Sequence, residues 1–266
     1  MPSDLQGLIN IVFAGLTAMA LAAARPMAVM LVLPVFVRLG MTGLIRGAFV
    51  IAMALPVVPT LIAALPPSGA SSLRLVSLVL KESFVGLVLG LLLSIPFWAA
   101  QVAGDVIDFQ REAPDAQLQD PGSMSEASIS GTLFLLVIIA LFVAADGFRT
   151  VAESLYESYG IWPVLAPLPE FDGSAAVLAL RLLDQLLRLA LILAFPVLLT
   201  MFLAMMTLML IARFAPQLNV FDLSMAARNL FFFIVMPLYG AFLVEYFSDE
   251  IGGLRHVLDD MRRFLP

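Results

Sequence analysis

Residues 73–103 read "LRLVSLVLKESFVGLVLGLLLSIPFWAAQVA", and from Ser83 to Ala103 no residue is charged. An apolar run of about 18 residues or more is long enough to cross the hydrocarbon of a bilayer as a helix. Similar runs recur along the chain at roughly 5–24, 27–38, 44–65, 127–146, 175–213 and 226–247. Of the 266 residues, 62% are hydrophobic and 13% charged. A soluble domain is about 25% charged because it needs a polar surface. The chain therefore reads as an all-α, polytopic membrane-type protein. A membrane β-barrel would instead show short segments of alternating polarity.

Composition removes several functions. There is no cysteine, so disulfides and thiolate metal sites are excluded. The single histidine, His256, cannot build a histidine-rich metal centre and lies among charged neighbours, as a surface residue does. A net charge of −6 argues against a nucleic-acid partner, which needs a basic face. The chain holds no nucleophile elbow, zincin motif or phosphate-binding loop, so no catalytic set, metal or cofactor is expected. "MPSDLQGLIN" lacks a basic n-region and reads as the start of a first helix, not a signal peptide.

Two segments exceed what a membrane requires. Residues 73–109, if helical throughout, would extend about 55 Å at 1.5 Å per residue, and 175–213 nearly as far. The hydrocarbon core is about 30 Å thick. Each carries a mid-segment proline, Pro96 or Pro196, and a proline costs one helix hydrogen bond and bends the axis. Ordinary kinked spans and tall bent hairpins of a multi-subunit shell both fit. Segment 27–38 is too short to cross comfortably and is expected to re-enter or pack on its neighbours. "GIWPVLAPLPEFDGS" (160–174) is too proline-rich for helix. "GLVLG" (86–90) is a small-residue pair for either dimerisation or close packing within the bundle. Arg181, Asp184 and Arg188 share one helical face, as a self-neutralised ladder or a proton relay. Met201, Met205 and Met209 line another, as core filler or as an adaptable seal.

Amid this apolarity, residues 110–128, "QREAPDAQLQDPGSMSEAS", are polar. Asp105, Asp108, Glu112, Asp115, Asp120 and Glu126 surround Arg111 as the one cation of the stretch. Lipid offers such a segment no partners, so it lies outside the bilayer or lines an aqueous cavity. A solvated linker satisfies that condition as well as anything more specific.

The passages "AGDVIDFQREAPDAQLQDPGS" (103–123) and "ARFAPQLNVFDLSMAARN" (212–229) carry a more specific reading. Gly104, Asp105, Ile107, Asp108, Gln110 and Arg111 match the pattern GD-x-ID-x-QR, followed by Asp120-Pro121, and residues 213–221 read RFAPQLNVF. Together they resemble the SctT family of type III secretion export-apparatus proteins, which is related to flagellar FliR. Phe109 and Glu112 stand where the family carries Asn and Gly, and "GSMSEAS" is more acidic than its usual Gly/Ser/Gln/Thr run.

The resemblance implies a non-enzymatic subunit of a protein-conducting gate at the bacterial inner membrane, with parts raised toward the periplasm. Its long, proline-kinked helical hairpins would pack in a multi-subunit export gate as one domain over 1–266. Partners would be SctR-like and SctS-like subunits, an SctU-like export switch, membrane lipid and, transiently, unfolded secreted proteins. A polar loop over 104–126 would act as channel plug through Asp105, Asp108, Gln110, Arg111, Glu112, Asp115, Asp120, Pro121 and Gly122. Residues 212–226 would form a joint between the last two long helices, through Arg213, Pro216, Gln217, Asn219 and Phe221. Pro216 would end one helix, and Asp222 or Ser224 would cap the next. A flagellar-type gate is the nearest alternative, and a small-solute secondary transporter with proline-broken helices is the alternative of a different class.

Overall fold

The computed structural model describes residues 2–41, 43–65, 71–111, 118–119, 126–166, 174–215, 217 and 219–254. The helices are α1 (Pro2–Val32), α2 (Pro34–Arg38), α3 (Gly43–Ala54), α4 (Val58–Ala64), α5 (Ser72–Gln110), α6 (Ile129–Ala144), α7 (Gly147–Ile161), α8 (Ser174–Phe214) and α9 (Val220–Gly253). Among the described residues the only strands are β1 (Leu118–Gln119) and β2 (Glu126–Ala127), so the fold is all-α. Four described helices are long and apolar enough to cross a membrane, and two further pairs qualify only as broken spans. The chain divides into two compact units, residues 1–94 with 148–178 and 255–266, and residues 95–147 with 179–254.

The first unit has α1 as its spine. The sequence suggests a break near residues 25–27, yet α1 runs through Pro26 to Val32. Pro26 has no N–H, so the Ala22 carbonyl loses its usual helical donor. The Tyr159 hydroxyl of α7 donates to that carbonyl instead, at 3.3 Å. The break falls at Leu33, which is extended (φ −72°, ψ 116°) because Pro34 follows it. Helices α3 and α4 bend by 58° at Leu55–Val57, ahead of Pro59. Ala18, Leu21 and Ala22 of α1 form a core with Ala54, Leu61, Leu78 and Val164.

The pair Gly86 and Gly90 packs against α1 of the same chain. A β-carbon at Gly86 would strike the Arg25 carbonyl oxygen, and one at Gly90 would lie 3.1 Å from the Val29 Cα. This is close packing within the bundle, achieved by small residues that let two backbones meet.

That approach brings together a buried cluster of charge. Arg25 is fully buried; its Nε donates to Glu82 Oε2 at 2.8 Å and its Nη2 to Oε1 at 3.0 Å. Its remaining donors reach Ser158 Oγ and the Trp162 carbonyl, both at 2.8 Å, and its guanidinium lies 4.1 Å over the Tyr159 ring. Lys81 pairs with Glu82 at 2.9 Å and donates to the carbonyls of Pro163, Val164 and Ala166 at 2.6–3.1 Å. Two cations thus share one carboxylate, and the carbonyls following α7 supply the balance of negative potential. Helix α7 itself is absent from the apolar pattern. It is amphipathic, with Val151, Leu155 and Ser158 buried at helical spacing and Glu153 exposed, and Trp162 just past its end is buried too.

The second unit is built from the end of α5 with α6, α8 and α9. Edge-on aromatic pairs fix it: Phe97 with Phe142 (5.4 Å between centroids) and Phe134 with Phe247 (6.5 Å). Pro196 disturbs the preceding turn of α8, and there the Tyr239 hydroxyl of α9 donates to the Leu193 carbonyl at 2.7 Å. Of the methionine stripe, Met201 is buried and Met209 is 45% exposed, so it serves the core at one end only. The face carrying Arg181, Asp184 and Arg188 is exposed.

Glu82→Ala leaves two buried cations without their carboxylate, and removing one partner of a buried pair costs about 3–5 kcal/mol. The exposed pair Arg149–Glu153, 2.7 Å long, is a control worth about 0–1 kcal/mol. Thermal unfolding in detergent should show a large loss for Glu82→Ala and almost none for Glu153→Ala.

Candidate functional site

The polar stretch is anchored by the helices on either side of it. Residues 104–110 are the last turns of α5, so the helix takes up the start of the 104–126 loop that the resemblance implies. The reason is local. Asp105 and Asp108 face the start of α6 instead of opening a loop. Asp108 Oδ2 accepts from the Ser130 backbone N–H at 2.7 Å, and Oδ1 accepts from the Ser130 hydroxyl at 2.6 Å. The Ser128 hydroxyl donates to Asp105 Oδ1 at 2.5 Å and accepts from the Gly131 N–H at 2.9 Å. Ser128 is thus the N-cap of α6, and two carboxylates sit where the helix dipole and its free N–H groups favour negative charge.

Glycine permits this approach. A β-carbon at Gly104 would collide with the backbone of Ser130 and Gly131, and one at Gly131 with Asp105 Oδ1. Short polar hydrogen bonds between α5 and α6 require that the two backbones touch here.

Arg111 closes α5. The residue is 7% exposed, its Nη2 lies 3.4 Å from Asp108 Oδ1, and its guanidinium carbon sits 3.9 Å above the Phe232 ring of α9. Its Nε has no hydrogen-bond acceptor among the described residues. Arg111 is the one cation within the stretch, and a second cation from outside it reaches its start. Arg228 of α9 donates from Nη1 to the Gln110 carbonyl at 2.9 Å. Phe109, between the paired carboxylate and Gln110, points outward and is 86% exposed.

Beyond Arg111 the backbone pairs with itself across β1 and β2, antiparallel, with Leu118 opposite Ala127 and Gln119 opposite Glu126. Glu112, Asp115, Asp120, Pro121 and Gly122 lie outside the described residues. At the second motif, α8 ends at Phe214 and α9 begins at Val220. Arg213 is in the last turn of α8, and Gln217 lies in a turn. The Asn219 carbonyl accepts from the Leu223 N–H at 3.2 Å, so α9 begins there, ahead of Asp222 and Ser224, the caps expected from sequence. Phe221 belongs to α9, and Pro216 lies outside the described residues.

Sequence reasoning missed Ser128, Ser130, Gly131, Arg228 and Phe232. A signal existed for the first two, because serine directly before an apolar run marks a helix start. Asp108→Ala should lower the thermal stability of the assembled protein more than Asp105→Ala. The former strips the Ser130 N–H and hydroxyl and isolates the Arg111 charge, whereas the latter leaves Ser128 still capping Gly131. Melting curves of the two variants, compared at matched assembly, check the order.

Residues 16–254 match the family described as "Bacterial export proteins, family 1". The chain is 34% identical to "Yop proteins translocation protein T" of Yersinia pestis over 243 residues, 91% of this chain and 92% of that one. It is 34% identical to "Surface presentation of antigens protein SpaR" of Salmonella typhimurium over 83% of this chain and 81% of that one. It is 27% identical to "Flagellar biosynthetic protein FliR" of Bacillus subtilis over 73% of this chain and 76% of that one. With apolar helices long enough to span, and a match across most of its length, the chain belongs to family 1 of the bacterial export proteins, as a multi-pass membrane protein.

Proposed function

We propose that this chain is the SctT-type subunit of a type III secretion export gate in the bacterial inner membrane, acting as one domain over 1–266, and that its polar stretch closes the protein-conducting channel. The observation that carries the closure reading is the neck. Each end of residues 112–127 is tied to a helix: Gln110 and Arg111 to α9, and Ser128 and Ser130 to α5. A simple solvated connection needs no such mounting. A segment that must hold position against a gradient does.

Family membership sets aside the solute-transporter alternative. The higher identity to the Yersinia and Salmonella proteins than to FliR favours a secretion gate over a flagellar one. The chain does no chemistry of its own in this reading. It shapes a passage for unfolded protein together with SctR-like and SctS-like subunits, and an SctU-like switch acts alongside.

The exposed apolar surface supports such partners. On α8 large apolar side chains are exposed from Val177 to Phe214, and on α9 from Leu223 to Val244. Along α8 that is about 55 Å of helix, against about 30 Å of hydrocarbon. Lipid covers only part of it, and the remainder requires protein. In the same reading, residues 212–226 are a joint that lets α8 and α9 belong to one hairpin.

Deleting part of 112–123 should leave the complex assembled and raise the permeability of the membrane to ions and small solutes. Co-purification of the partners establishes assembly, and solute uptake by cells making the whole complex gives the permeability. Wild-type permeability in an assembled complex would reduce the stretch to a linker.

A further inference from the structure

We propose that Arg228 and Phe232 are positioning residues for the end of α5, so that the seat of the polar stretch is set from α9, a third helix that does not adjoin it in sequence. The proposal rests on the closure reading above and adds to it the residues that hold the closed position.

The last carbonyls of a helix lack N–H partners and carry its negative dipole end. Arg228 answers both for α5, donating to the Gln110 carbonyl at 2.9 Å with its charge at the helix end. It is 5% exposed, and its own helix orients it, since Nε donates to the Ser224 carbonyl at 3.3 Å and Nη2 reaches Ser224 Oγ at 3.4 Å. Phe232 lies one helical turn further along α9 and supports the Arg111 guanidinium at 3.9 Å. Two adjacent residues of α5 are therefore held at two points one turn apart on α9. A single contact would leave a pivot, whereas two points fix rotation as well as distance.

The grip continues to the other side of the stretch. Arg111 is paired with Asp108, and Asp108 accepts both hydrogen bonds from Ser130 at the start of α6. Phe134 of α6 in turn meets Phe247 of α9 edge-on. The ends of α5 and α6 that bracket residues 112–127 are both braced on α9, whose start at Val220 directly follows the break after α8. A shift of α9 at that break moves the two ends together.

The test uses the complete complex in cells. Arg228→Ala, Arg228→Lys and Phe232→Leu are compared with wild type and with the shortened 112–123 variant, each for partner co-purification and small-solute permeability. The expected result is an assembled complex for Arg228→Ala and Phe232→Leu with permeability raised toward that of the shortened variant. Arg228→Lys, which keeps an N–H donor and the charge, should restore part of the seal. Combining Arg228→Ala with the shortened stretch should add no further permeability, because both act on one seal. If Arg228→Ala and Phe232→Leu assemble with wild-type permeability while the shortened variant leaks, this inference falls and the closure reading stands. If the shortened variant does not leak, both fall. If none of the three substitutions assembles, the residues hold the fold and not the seal, and the inference is overturned.

Discussion

In an apolar medium a charged or hydrogen-bonding atom must find its partner inside the protein, and both units of this chain are arranged around that requirement. Glu82 is the clearest case. One carboxylate accepts Arg25 and Lys81, and these reach the carbonyls of Trp162, Pro163, Val164 and Ala166 and the hydroxyl of Ser158. Helices α1, α5 and α7 are thereby fixed against one another by directional bonds, where apolar packing alone would let them slide. Asp108 plays the same part in the second unit, tying α5 to α6 and, through Arg111, to α9.

Glycine placement is what lets these acids work. Gly86 and Gly104, both on α5, bring its backbone against α1 and α6 respectively. Asp and Glu side chains are short, so they bridge two helices only where the axes are close. Where the helices are not so constrained, as along much of α8 and α9, their surfaces remain apolar and exposed. One region of the chain is specified from within, and the other awaits surroundings that complete it.

The long apolar helices were legible because their signal is local: unbroken hydrophobic runs with a proline in the middle. Arg25 was not. In "LAAARPMAV" it looks like a boundary, since its partners Glu82 and Ser158 are 57 and 133 residues away. That pairing is why α1 continues where a break was expected. Helix α7 was hidden because it is amphipathic and far less apolar overall than the neighbouring runs, so no hydrophobic run marks it. The acidic stretch was recognised as important, but Asp105 and Asp108 read as loop acidity when they are helix-to-helix ties. Arg228 escaped notice because nothing near it in sequence announces Gln110, 118 residues earlier.

One tyrosine shows how such a fold constrains its own divergence. Tyr159 serves the Ala22 carbonyl that Pro26 leaves without a donor. A hydroxyl on one helix thus compensates for a proline on another. A lineage that exchanges Pro26 for an ordinary residue loses the need for the hydroxyl, and phenylalanine becomes acceptable in place of Tyr159. The reverse order, losing the hydroxyl first, leaves a carbonyl bare in apolar surroundings. Tyr159 and Pro26 should therefore be inherited together, with proline the first to be lost.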